Sequence, residues 1–155
     1  ANSAFADKKG FGLKGVENKK EQPSKEDMLI PYGDRERKEL SSSLFGAIYK
    51  VSMDKTHPLA FGIGDNYYSL KTSALKFSWL EKGLNAGVLK SKPYPVMGFA
   101  GKKANAELEN TLVFGSEDKG QGRVFYLIDN PLFREFWENG KLLFANALFM
   151  GGAGY

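Results

Sequence analysis

The run Gly122-Arg-Val-Phe-Tyr-Leu-Ile-Asp129 is almost wholly apolar and is bounded by a glycine and by Asp-Asn-Pro. Such a run predicts a strand buried on both faces, the kind found in α/β domains. Asn130-Pro131 then supplies a helix start, because Asn can accept from free N–H groups and Pro fits the first helical turn. Beyond it, Leu132, Phe136, Gly140, Leu143 and Ala147 repeat with a 3.6-residue period. Phe133, Trp137, Phe144 and Leu148 lie beside that stripe, and Arg134, Glu135, Glu138, Lys141 and Asn146 lie opposite. Gly140 weakens a helix interior by about 1 kcal/mol relative to Ala, so its place on the stripe predicts a close approach to a neighbouring element. Gly151-Gly152 is the expected stop.

The remaining segments are shorter. Gly46–Met53 predicts a strand whose apolar residues fit a pleat only if it bends. Asp54–Pro58 predicts a turn, and Leu59–Gly62, Tyr67–Leu70, Ala86–Leu89 and Tyr94–Phe99 predict short strands. Pro93 and Pro95 push the last of these to a sheet edge. Ala104–Leu108 suits a helical turn, and Thr111–Gly115 with Gly122–Asp129 suits a hairpin. Asp34–Ser43 suits an exposed helix capped by Asp34. Residues 1–30, rich in Gly, Lys, Glu and Asn, are expected to be a linker, ordered only where something packs on them. Residues 31–155 form the expected domain. The first residue is Ala rather than Met, as in an excised or processed piece.

Composition narrows the function classes. The chain has 155 residues, 42% hydrophobic and 14% aromatic, enough for one domain with a core. No run approaches the ~18 apolar residues of a membrane-spanning helix, so no membrane insertion is expected. The absence of cysteine removes thiolate catalysis and Cys-ligated zinc. The net charge of +4 is spread among mixed signs. Lys71, Lys76, Lys82, Lys90 and Lys92 fall on separate elements and are expected on a solvated surface. A nucleic-acid partner, which selects a concentrated basic stripe, is not expected.

Candidate chemistry is sparse. His57 is the sole histidine. No acidic residue follows it at a helical spacing, and it is expected to be a turn residue. The glycines Gly115, Gly120 and Gly122 lie between strands, as a hairpin requires, rather than before a helix, as a phosphate loop requires. Glu117, Asp118, Asp129, Glu135 and Glu138 offer carboxylate pairs of the sort used in glycoside hydrolysis, with no spacing that singles one out. Trp79, Trp137, Tyr67 and Tyr68 are candidates for a sugar-stacking surface, although the helix stripe accounts better for Trp137 and strand propensity for the two tyrosines. His57, Trp79 and Arg134 make the candidate binding surface; no catalytic, cofactor or metal residue is assigned.

Four segments carry a resemblance: Ser43-Leu-Phe-Gly-Ala-Ile-Tyr-Lys-Val51, Asp54-Lys-Thr-His-Pro-Leu-Ala-Phe-Gly62, Gly120-Gln-Gly-Arg-Val-Phe-Tyr-Leu-Ile-Asp129 and Asn130-Pro-Leu-Phe-Arg-Glu-Phe-Trp-Glu-Asn-Gly-Lys-Leu-Leu-Phe-Ala-Asn-Ala-Leu-Phe149. Together, over roughly residues 30 to 150, they resemble the C-terminal region of bacterial zinc carboxypeptidase-like proteins. In those proteins a metallocarboxypeptidase domain precedes a domain similar to class I glutamine amidotransferases. The resemblance implies an α/β, three-layer α/β/α flavodoxin-like domain, possibly a partial one, in a periplasmic or secreted parent. It implies zinc in the parent's peptidase domain and none in this chain. The family's His-x-x-Glu with a later His, and its Cys-His-Glu triad, have no counterpart here. The expected function is therefore a non-catalytic accessory domain that supports the parent's peptidase domain or self-associates into a homo-oligomer. The alternative is a module that binds carbohydrate or a cell-surface polymer. An independent hydrolase built on carboxylate pairs is a third reading.

Overall fold

The computed structural model describes residues 11–16 and 29–150. In chain order the elements are α1 (Tyr32–Ser41), β1 (Leu44–Met53), a 3-10 turn (Pro58–Ala60), β2 (Asn66–Lys71), β3 (Leu84–Leu89), β4 (Pro95–Ala100), α2 (Lys102–Ala106), β5 (Thr111–Lys119), β6 (Gly122–Leu127), a second 3-10 turn (Phe133–Glu135) and α3 (Glu138–Phe149). The strands form one sheet in the order β2-β1-β3-β5-β6, with β4 also paired to β1. Every pairing is antiparallel. The sheet curls into a half-barrel with three short α-helices.

This overturns the expected three-layer α/β/α flavodoxin-like fold. Parallel neighbours need crossover helices, and here the connections run otherwise. β5 returns as β6 through a tight turn at Gly120-Gln121, with Lys119 opposite Gly122. Among the described residues only α2, five residues long, lies between two strands, and its flanking strands β4 and β5 do not pair. The strand expected to be doubly buried, β6, ends the sheet and has one buried residue, Tyr126. The strand covered on both faces is β5, buried continuously from Thr111 to Glu117. Its Val113 and Phe114 enter the larger apolar cluster with Tyr49, Val51, Leu59, Tyr67 and Leu143. Its Leu112 enters a smaller cluster with Leu13, Phe77, Leu80 and Tyr126.

β1 carries the sheet's bend. Ala47, Tyr49, Val51 and Met53 point into the core. The pairing with β4 slips between Leu44 and Ala47 and again between Ile48 and Tyr49. Gly46 and Gly98 sit opposite this slip with φ of 86° and 89°, a conformation that side chains with a Cβ resist. A Cβ on Gly98 would also overlap the Gly46 carbonyl.

Other expectations divide. Leu59–Gly62 is not a strand: Pro58–Ala60 is a 3-10 turn, followed by further turns. α1 is exposed throughout as expected, yet Asp34 lies inside it, and Pro31 holds the cap position. The helix expected from Asn130 onward starts only at Glu138. Asn130 Oδ1 accepts from the Leu132 N–H (2.9 Å) in a local turn, and Arg134 and Glu135 take positive φ, which breaks the helical path. Of the presumed linker, residues 11–16 pack on the body. Leu13 is buried, and Gly15 bridges Phe77. Residues 1–10 and 17–28 of that segment, and Gly151-Gly152, lie outside the described residues.

Gly140 is buried, but the element it approaches is the Pro131 turn, whose carbonyl occupies the space of a Cβ. Gly140→Ala should therefore destabilise the protein by about 2 kcal/mol, although helix propensity alone favours Ala by ~1 kcal/mol. Urea denaturation of the two proteins measures the sign directly.

Candidate functional site

Three groups of side chains stand out: a buried ion pair, a buried histidine, and an apolar outer face.

The ion pair arises from period-two alternation. Tyr67, Ser69 and Lys71 of β2 all face inward. Lys71 is 2% exposed, and its Nζ donates to Asp129 Oδ1 at 2.8 Å. Ser69 Oγ donates to Asp129 Oδ2 at 2.7 Å. Asp129 follows β6, at the opposite end of the sheet from β2. Both carboxylate oxygens are thus used, one by an ammonium and one by a hydroxyl. A buried charge survives only with such partners. Beside it Tyr67 is buried edge-on to Phe114, with ring centroids 5.1 Å apart, and burial pushes its hydroxyl up to about 12.

This corrects the surface reading of the lysines. Lys71 is interior, and so is Lys76, whose Nζ reaches Glu107 Oε2 at 2.6 Å. The alternation from Tyr67 was the signal that marked Lys71.

His57 is 5% exposed. Its Nδ1 accepts from the Leu59 N–H at 3.1 Å and caps the 3-10 turn. The neutral ring therefore carries its proton on Nε2, which donates to Ser116 Oγ at 3.0 Å. A nucleophilic serine needs the reverse direction, with Oγ donating to the imidazole. The arrangement fastens the first turn to β5. Burial chiefly holds the His57 pKa below its ordinary 6.5, opposed by Asp54 and helped by Arg123.

The five acidic residues do not assemble. Glu117 accepts from the Gly12 N–H at 2.8 Å and lies 3.4 Å from Lys119. Asp118 pairs with Arg123, and Glu138 with Lys141. Asp129 is taken by Lys71, and Glu135 sits on the second 3-10 turn. Among the described residues the buried Tyr126 hydroxyl makes no hydrogen bond of ordinary geometry, though Glu117 and the Gly12 backbone lie near it; burial, then the Glu117 charge, pushes its pKa up to about 12.

The candidate surface of His57, Trp79 and Arg134 is likewise not one site. His57 is interior. Trp79 is half-exposed on the β2–β3 connection. Arg134 lies over its own neighbour Phe133, 5.3 Å from the ring centroid. Among the described residues no shared cavity or contact joins the three.

The outer face of β4 and the adjoining part of β1 is apolar, and it gives way to Lys50 and Asn66 further along β1 and β2. Phe45 and Met97 are 69% and 68% exposed, with Val96 and Phe99 also exposed. Phe45 and Phe99 stack with centroids 6.2 Å apart. The patch continues into a groove of about 410 Å³ between Ile48, Tyr68, Met97, Phe136 and Trp137, with Glu138 and Asn139 at its rim. Trp137 is held there by its indole N–H, which donates to the Tyr68 carbonyl at 2.9 Å. Sequence reasoning missed this face. Tyr68, Val96, Met97 and Phe99 sit on predicted strands, while Phe136 and Trp137 were expected on the apolar stripe of a helix.

No family model, curated protein or solved structure matches the chain. Among the described residues no helix is long and apolar enough to cross a membrane, and no three His, Asp or Glu side chains gather as a metal-binding group.

Two outcomes follow from the buried polar groups. Lys71→Met leaves the Asp129 carboxylate without its cation and should cost about 3–5 kcal/mol, whereas pairing it with Asp129→Leu should recover part of that loss; urea midpoints of the single and double variants test this. For His57, the folded pKa lies below the unfolded 6.5, so the unfolded chain binds the proton more readily. Stability should be complete above about pH 6.5 and fall as the pH drops from there towards the lower folded value. His57→Gln should lose that component of the pH dependence in a comparison of urea midpoints at neutral and mildly acidic pH.

Proposed function

We propose that this chain is a non-catalytic accessory domain that docks on a protein partner through the outer face of β4, β1 and β2. The observation that carries the reading is the exposed cluster Phe45, Val96, Met97 and Phe99, contiguous with the Tyr68–Trp137 groove. Apolar residues scattered singly on a surface need no explanation, but a contiguous patch of large ones marks an interaction site. The buried polar residues support the same view from the other side. Ser69, Lys71, Asp129, His57 and Ser116 are engaged with one another or with backbone. The segment resemblance suggests that the partner is a zinc metallocarboxypeptidase domain in a periplasmic or secreted setting, with the zinc and the peptide chemistry residing there.

The groove also favours a second reading. Tyr68, Phe136 and Trp137 offer ring faces, and Glu138 and Asn139 offer polar atoms at the rim, a combination suited to stacking and hydrogen-bonding a sugar ring. This reading replaces Trp79 as the stacking residue.

The test is sedimentation of the purified chain with a zinc carboxypeptidase domain of the resembled class. A complex should form, and Met97→Ser with Phe99→Ser should weaken it by at least about tenfold. Unchanged affinity in that variant overturns the reading. Tryptophan quenching by soluble oligosaccharides, with no protein complex, transfers the groove to the sugar-binding reading.

A further inference from the structure

We infer that the outer edge of β4 is a β-augmentation site for an extended peptide segment with an apolar centre and acidic ends. The inference rests on the docking reading above and names the chemistry of the partner at that face.

β4 pairs with β1 on one side, and among the described residues no strand or side chain hydrogen-bonds its other side. The contrast with β2, also terminal in the sheet, is instructive: there Trp137 lies against the strand with its N–H on the Tyr68 carbonyl. An unpaired edge presents a row of N–H and C=O groups, and natural proteins normally blunt it with charge or proline inside the strand, a bulge, or a cover; Pro95 stands at the first position of β4 and leaves the donors of residues 96–100. β4 has no charge in its six residues, Pro-Val-Met-Gly-Phe-Ala. Its irregularity at Gly98 lies against β1 rather than facing outward. Val96, Met97 and Phe99 stand exposed beside the free edge, where alternate side chains of an added strand would rest.

Charge selects among the occupants. Lys90 and Lys92 precede β4, and Lys102 follows it; all three are exposed. A second copy of β4, added antiparallel about a two-fold axis, would set the leading lysines of one strand beside the trailing lysine of the other. Like charges so placed repel. An incoming strand with carboxylates at both ends meets the opposite sign at both ends. A lipid surface could answer the lysines and the apolar residues, but it offers nothing to the backbone groups of the edge.

The probe is a fluorescent peptide of alternating valine and threonine with two glutamates at each end, titrated into the whole chain by anisotropy. Saturable binding is expected, weakened by at least about tenfold in Lys90→Glu/Lys102→Glu. That variant, whose added glutamates offset the remaining lysines, should no longer distinguish this peptide from the same peptide with lysine ends. Because both lysines are exposed, an unchanged urea midpoint will show that the variant is folded. A peptide N-methylated at every valine and threonine, with no N–H donor left along either edge, should not bind. The inference is overturned if the acidic-ended peptide fails to bind, if the methylated peptide binds equally, or if phosphatidylglycerol vesicles bind while the peptide does not. Should the peptide fail while the protein complex stays sensitive to Met97→Ser/Phe99→Ser, the edge is excluded and docking by the face stands.

Discussion

An ammonium group in an apolar interior is intolerable without a counter-charge, and Lys71 has one in Asp129. The two residues come from opposite ends of the sheet, β2 and the segment leaving β6. Their contact can form only if the sheet curls far enough for its ends to approach. The apolar cluster drives that curl without specifying how far it goes, since hydrophobic burial is non-directional. A 2.8 Å ion pair, with Ser69 on the second carboxylate oxygen, does specify it. The pair is thus better understood as a device for geometry than as a source of net stability, because desolvation offsets much of the Coulomb gain.

The curl decides what is left outside. Closing the inward face around Tyr49, Tyr67, Phe114 and Leu143 leaves the opposite face of β1, β2 and β4 with no second layer. The segment after Asp129 covers part of it, where Trp137 fastens on Tyr68. The ion pair anchors the start of that segment, and the indole anchors its end. α3 then turns inward instead, with Leu143 buried and Asn146 Nδ2 donating to the Leu59 and Phe61 carbonyls at 3.0 and 2.8 Å. A helix spent in holding the His57 turn is not available to cover β4.

Much of the local structure was legible in the sequence. β-branched and aromatic runs marked β1 to β5, the glycines between Thr111 and Asp129 marked the hairpin, and Pro93 and Pro95 marked β4 as an edge. The architecture was not legible, and the reason is specific. A buried strand followed by an amphipathic helix occurs in both parallel and antiparallel folds, and an apolar run does not state the direction of its neighbours. Assigning the helix to a covering layer made Asn146 look solvated, whereas it is buried. Lys71 was misread for a related reason: lysine is so seldom interior that composition outweighs register, although Tyr67 and Ser69, four and two residues before it, stated the register plainly.

The inversion of polar and apolar positions has one physical logic. Ser69, Lys71, His57, Ser116 and Asn146 each have a partner that is remote in sequence, so each fixes a tertiary distance that apolar packing alone would leave loose. Groups committed in this way are poor candidates for chemistry on a ligand, because engaging one would unmake the contact that positions it. The apolar residues of β4 and β1 carry no such commitment. Covering them breaks no internal bond, and a strand added to β4 would satisfy backbone groups that otherwise rely on water. Where a fold binds its polar side chains inward and leaves an uncharged edge facing out, recognition through main-chain pairing requires the least rearrangement of the domain.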